Sequence, residues 1–324
     1  MKLLFVGFGT VGQGLSELLL TKRTELAKRH DFEWQVVGIA DMLKGSAYDP
    51  AGLDLAEALT RVEQGESLSD WPGLGREWDA PTMIAEAEAD VMLEATYTDI
   101  TTGQPATDHI RAALERGMHV TTTNKGPVAL ASTELIDLAV GRGLRFLYEG
   151  TVMAGTPLLN LIRETLAGSE ILEMKGILNG TTNYILTRME EGLAYSDALA
   201  TAQELGYAEA VPDADVLGWD ALAKVTILAN TVFGASLVPD DSPCTGITEI
   251  SPDDITRAGS DGKRHKLIGR VWREDGRVRG SVASSRKTRA ISERSCSAIL
   301  SVRRDILHSS NSADSPSAFQ PVLS

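Results

Sequence analysis

Asp220 and Lys224 lie four residues apart in the chain's densest run of chemically competent side chains, Gly206-Tyr207-Ala208-Glu209-Ala210-Val211-Pro212-Asp213-Ala214-Asp215 followed by Val216 to Lys224. From Val216 the apolar residues fall at helical spacing through Ile227 and Leu228, so Asp220 and Lys224 project from one face of a predicted helix. A lysine partly buried beside a carboxylate can exchange a proton with a substrate hydroxyl near neutral pH. Spacing alone fits an exposed ion pair worth only ~0.3–0.5 kcal/mol as well. Against that bland interpretation, Ile227 shares the face and two more acids, Glu209 and Asp215, precede it.

A second lysine, Lys125, sits in Thr123-Asn124-Lys125-Gly126-Pro127, directly after the predicted strand His119–Thr122. Ligands bind outside the carboxyl ends of strands in open parallel sheets, which places Lys125 either beside a cofactor or in a solvated loop. Two further segments are rich in small and polar residues. Glu149 to Pro157 leads into a predicted helix carrying Leu158, Leu159, Ile162 and Leu166. Lys175 to Tyr184 passes from strand to helix, with Asn179 or Thr181 as the cap.

These groups need a scaffold, and the N-terminal half supplies one. The apolar run Lys2–Val6 ends at Gly7-Phe8-Gly9-Thr10-Val11-Gly12, after which Leu15, Leu18, Leu19 and Leu20 recur at helical spacing. Strand, glycine loop, helix is the context in which G-x-G-x-x-G binds a dinucleotide. Gly7 allows the tight turn, Gly9 admits the pyrophosphate and Gly12 lets helix and strand pack closely. The start of the helix, at Thr10 and Val11, offers unpaired N–H groups to the phosphates. A second strand, Trp34–Ala40, ends at Asp41, suited to the ribose hydroxyls, whereas Lys44 suits a 2′-phosphate; NAD and NADP stay open. Asp90–Glu94 forms the next strand, followed by the polar turn Thr96-Tyr97-Thr98 and a helix through Ile110, Ala113 and Leu114. Alternating strands and helices imply a parallel sheet. Asp49–Asp79 reads as an irregular insertion without chemistry.

Composition narrows the class. With 324 residues, two domains are expected. A net charge of −14 argues against nucleic acid and anionic membrane as partners. No apolar run is long enough for a membrane span, no signal peptide is evident, and Cys244 and Cys296 form neither a disulfide framework nor a zinc pattern. The cytoplasm fits best.

Taken together, Gly7–Gly12, Thr123–Pro127, Glu149–Pro157, Lys175–Tyr184 and Gly206–Lys224 closely resemble the homoserine dehydrogenases, in the family's order and spacing. The resemblance covers residues 1 to about 275 and is to the short, monofunctional form. It implies interconversion of L-homoserine and L-aspartate 4-semialdehyde with NAD or NADP, on the route to threonine and methionine. By that resemblance Lys224 is the acid/base on the homoserine hydroxyl, with Asp220 beside it. Lys125 lies between nicotinamide and substrate, and Glu209, with Asp215 close by, holds the amino group. Thr96 joins the cofactor contacts. A sodium ion is implied at Glu149 and the backbone of Val152, Ala154 and Thr156. A homodimer formed through the second domain is implied too.

The expected fold class is α/β: a Rossmann-type domain at 1–150, an α+β substrate and dimerisation domain at 151–280, and an atypical tail at 281–324. Val211 stands where the family usually has an aspartate. After a predicted hairpin over Leu267–Val282, thirteen serines from Ser281 onward predict a largely disordered tail, a replaced or out-of-frame C-terminus. The rivals are a dehydrogenase of another small amino acid and a cofactor-binding pseudoenzyme disabled by that tail.

Overall fold

Lys2–Val6 forms β1, whose Leu4, Phe5 and Val6 are buried, and the chain turns through the glycine loop into α1 (Thr10–His30). In this computed structural model, which describes residues 1–288 and 300–305, the chain divides into two units, Met1–Gly155 and a second beginning at Thr156. The first continues with β2 (Gln35–Asp41), β3 (Gly45–Tyr48), α2 (Leu55–Glu63), β4 (Gly75–Arg76) and α3 (Ala80–Glu86). It ends with β5 (Val91–Glu94), α4 (Ala106–Glu115), β6 (His119–Thr122), α5 (Lys125–Gly141) and β7 (Phe146–Leu147).

The seven strands lie in the order β4-β3-β2-β1-β5-β6-β7. Strands β2, β1, β5, β6 and β7 run parallel, as the alternation of strands and helices predicts. Chain order reverses between β1 and β5, so their carboxyl ends flank the crevice where a doubly wound sheet takes its ligand. Helix α1 begins at Thr10 as expected, although Leu18 is exposed and Leu19 carries the buried stripe.

The insertion is more ordered than its composition predicts. Strand β3 pairs antiparallel with β2, and β4 with β3, extending the sheet at one edge. Asp54 caps α2 through the N–H groups of Ala56 and Glu57, and Leu55, Ala58, Leu68 and Trp71 enter the same core as Phe5, Phe8 and Val36. Strands of two to four residues are too short to show a period of two, which is why the segment looks irregular as sequence.

The second unit contains α6 (Leu158–Thr165), β8 (Glu170–Gly176), α7 (Gly180–Glu190), α8 (Tyr195–Glu204), α9 (Asp213–Val216), α10 (Trp219–Phe233) and α11 (Pro252–Ser260). Strands β9 (Lys263–Glu274), β10 (Arg277–Thr288) and β11 (Leu300–Asp305) follow. The antiparallel sheet has the order β10-β9-β8-β11, with α7, α10 and α11 packed against it. Two expectations change. The helix expected from Val216 breaks at Gly218, whose φ of 87° lies in the left-handed region, and α10 starts at Trp219. The order predicted to fade from Ser281 persists to Thr288, because β10 pairs with β9 residue for residue, and β11 pairs with β8. Ladder hydrogen bonds join backbone groups, so a serine-rich strand can be held where its partner is already in place. The rest of the expected tail, 289–299 and 306–324, lies outside the described residues. No helix among the described residues is long and apolar enough to cross a membrane.

Candidate active site

The glycine loop meets the physical requirements of a dinucleotide cradle. Gly7 has φ 92°, and a Cβ there would stand 2.4 Å from the Ala95 backbone, so only glycine lets β1 turn this close to the end of β5. A Cβ on Gly12 would stand 2.7 Å from the Gly7 carbonyl oxygen, while one on Gly9 would meet nothing within 4 Å. Backbone is thus open to an approaching phosphate at Gly9. No side chain caps α1 at this end, where Thr10 and Val11 are exposed, which leaves its first-turn N–H groups available to an anion. These features fit a pyrophosphate.

Asp41 closes β2 with both carboxylate oxygens held. Phe8 N–H donates to Oδ2 at 2.7 Å, and the N–H groups of Leu43 and Lys44 donate to Oδ1 at 2.9 and 3.0 Å. The carboxylate is fixed beside the glycine loop, whereas Lys44 contributes its backbone to the arrangement. Thr96 follows the end of β5. Its N–H and hydroxyl both donate to the buried Glu94 carboxylate. Lys125 is the first residue of α5 rather than a loop residue, and Asn124 caps the helix by accepting from Gly126 N–H.

In the second unit, Asn179 follows β8 and caps α7, accepting from Thr182 N–H at 2.8 Å. Its amide nitrogen donates to Asp215 Oδ1 at 2.6 Å and to Asp220 Oδ2 at 2.9 Å. Lys224 donates to the same Asp220 oxygen at 2.8 Å and to the Leu178 carbonyl at 2.6 Å. The Lys224 and Asp220 side chains are 14% and 15% exposed, so this is not the solvated surface pair that spacing alone allows. Ala221, Leu222, Ala223, Val225 and Ile227 of the same helix are buried. Burial raises the Asp215 carboxyl above the ordinary range and the nearby Asp220 charge adds to the rise, while hydrogen bonds from Asn179 and Thr181 oppose it.

Asn179 therefore joins Asp215 to Asp220, and Asp220 binds Lys224, but Glu209 takes no part in this cluster. It is exposed in the loop after α8, where Gln203 holds its backbone carbonyl at 2.9 Å. Val211 in the same loop is exposed too. Asn179, one of two residues expected to cap α7, also takes part in this cluster. Capping uses only the amide oxygen, and a buried amide nitrogen still needs acceptors, which the neighbouring acids provide. Glu149 begins a single turn at Glu149–Thr151, and the Thr156 carbonyl accepts from Leu158 N–H at 2.8 Å. Among the described residues no group of three or more histidine, cysteine or acidic side chains could hold a metal ion.

A dinucleotide fold in the same chain as a largely buried lysine held on a carboxylate is what a nicotinamide-dependent dehydrogenase acting on an alcohol requires. Comparison with known proteins gives the family. Residues 7–149 match the model described as homoserine dehydrogenase, NAD binding domain, and residues 157–309 match the homoserine dehydrogenase model. The second match runs to residue 309, past the point near residue 275 to which the resemblance read from the sequence extends. The chain is 44% identical over 282 residues to the NAD(+)-dependent homoserine dehydrogenase of Pseudomonas canavaninivorans, covering 87% of this chain and 80% of that one. It is 43% identical over 272 residues to the homoserine dehydrogenase of Methanocaldococcus jannaschii, covering 84% and 80%. A hyperthermophilic archaeal homoserine dehydrogenase solved with NADPH superposes with a TM-score of 0.78 at 26% identity, covering 94% of this chain and 88% of that one. The chain belongs to the homoserine dehydrogenase family.

Proposed function

We infer that this protein interconverts L-homoserine and L-aspartate 4-semialdehyde as an NAD(P)-dependent oxidoreductase, with Lys224 as the acid/base. The observation that carries the assignment of roles is the Asn179–Asp215–Asp220–Lys224 cluster. Oxidation of homoserine removes a hydroxyl proton while hydride leaves the adjacent carbon. A nicotinamide cofactor, when bound, would supply the hydride acceptor. Lys224, as the neutral amine, takes the proton; in the reverse direction its ammonium returns it. Asp220 and the Leu178 carbonyl hold the Lys224 nitrogen in one position, which lowers the entropic cost of proton transfer. Asp215, with Glu209 supplied from the exposed loop, supports binding of the substrate ammonium by charge. Lys125 is assigned to the nicotinamide end of the cofactor because it opens the helix after a strand of the parallel sheet.

Asp41 supports a preference for NAD over NADP. A carboxylate held by three backbone N–H groups accepts from ribose hydroxyls and repels a 2′-phosphate in the same place. A sodium ion at Glu149, Val152, Ala154 and Thr156 stays in the proposal on the family resemblance alone, and we assign it no step in the reaction. A cytoplasmic homodimer completes the proposal, on the family resemblance alone. The deciding experiment follows NAD(P)H absorbance with purified chain, L-homoserine and each cofactor in turn. Turnover supports the assignment; cofactor binding without turnover would identify a pseudoenzyme instead.

A further inference from the structure

Glu94 ends β5 with a side chain wholly removed from solvent, at 0% exposure. It accepts three hydrogen bonds from neutral donors: Thr96 N–H at 3.0 Å and the Thr96 hydroxyl on Oε1, and the Thr122 hydroxyl at 2.9 Å on Oε2. Burial accordingly raises its carboxyl above the ordinary range, against the pull of these bonds. Its neighbours along the strand, Met92 and Leu93, are apolar. A third apolar side chain would avoid the desolvation cost, so stability alone does not account for a carboxyl here.

What the carboxyl does is join strand ends. Thr122, its partner at the end of β6, accepts from Asn124 N–H at 2.9 Å. Asn124 caps α5 with its oxygen, and its amide nitrogen donates back to the Tyr97 carbonyl at 2.9 Å. The result is a closed ring running from Glu94 through Thr122 and Asn124 to the Thr96–Tyr97 turn. The glycine loop rests on the same turn, since a Cβ on Gly7 would stand 2.7 Å from Thr96 N. The ring therefore lies at the β1–β5 reversal, and the next residue along from it is Lys125.

We propose that Glu94 is a positioning residue of the dehydrogenase. Through Thr96 and Thr122 it sets the turn after β5 and the Asn124 cap in the one register that presents Lys125 at the first turn of α5. The proposal rests on the role assigned to Lys125 above. It predicts that the shape and hydrogen bonds of the side chain matter and its charge does not. A glutamine can still accept from Thr96 and, because a hydroxyl rotates, donate to Thr122.

The test compares Glu94→Gln, Glu94→Ala and Thr122→Val with the unaltered chain by amide hydrogen exchange, NADH fluorescence titration and steady-state kinetics. Glu94→Ala and Thr122→Val should speed exchange in the segments 95–98 and 122–126 while the remainder of the first unit is unchanged. Both should lower kcat roughly 10–100-fold with KM for homoserine nearly constant, as expected for a displaced group near the reacting atoms. Glu94→Gln should restore exchange and kcat to within about threefold of the unaltered chain. Uniform exchange changes, an inactive Glu94→Gln, or unaffected kcat in both Glu94→Ala and Thr122→Val would each overturn the proposal. Should Glu94→Ala fail to fold, Thr122→Val and Glu94→Gln decide it. Exchange needs no turnover, so an unaltered chain inactive on homoserine would overturn the functional assignment while leaving the ring itself tested.

Discussion

The amide nitrogen of Asn179 donates to the Asp220 oxygen that also receives the Lys224 ammonium, so the cap of α7 is built into the acid/base pair of α10. One buried amide thus does two things at once. Its oxygen ends a helix, and its nitrogen holds two carboxylates that would otherwise repel each other.

Replacement of Asn179 by alanine should separate these effects. Loss of the cap alone costs about 1 kcal/mol. Loss of the clamp should also lower kcat/KM for homoserine by about 10–100-fold, as a misplaced proton-transfer group does. NADH affinity, read by fluorescence titration, should stay as it was. An undiminished kcat/KM would leave Asn179 as a cap only.

Lys224→Ala should abolish turnover, by about 10²–10⁴-fold, while cofactor affinity is retained. Circular dichroism and NADH titration check the second half. A variant that fails to fold would return Lys224 to a structural role beside Asp220.

Asp41→Asn keeps an acceptor for Phe8 N–H and removes the charge. The ratio of NADPH to NADH affinity should rise about tenfold, roughly 1.4 kcal/mol. Paired fluorescence titrations measure it. An unchanged ratio would show that cofactor choice lies elsewhere.

Stability should carry a mark of Asp215. Its folded carboxyl value is raised above the ordinary 3.8, so between these two values the folded chain binds more protons than the unfolded one. Stability from this group is therefore lost as pH rises through that window. Asp215→Asn should flatten that part of the profile of melting temperature against pH. An identical slope in both proteins would show that Asp215 titrates as an ordinary aspartate.

Much of this was legible in the residues themselves. The glycine loop, the parallel strands and Asp41 at the end of β2 follow from local pattern, because a period of two or 3.6 and a tight turn need only neighbouring residues. The spacing of Asp220 and Lys224 likewise put them on one helical face, although α10 begins at Trp219 and not at Val216. The short strands β3 and β4 are not legible, nor is the extension of β10 beyond the predicted hairpin's end at Val282, since each is held by a partner strand and not by its own pattern.

By itself, then, the sequence determined which groups are present and which local elements carry them: a dinucleotide loop, a lysine four residues after an aspartate, an asparagine able to cap. Only the tertiary structure decided which of them meet. Asn179 lies 41 positions from Asp220, and Glu94 lies 28 from Thr122. No period spans such separations, and burial leaves each polar group no choice but to find its partner in whatever the fold brings alongside.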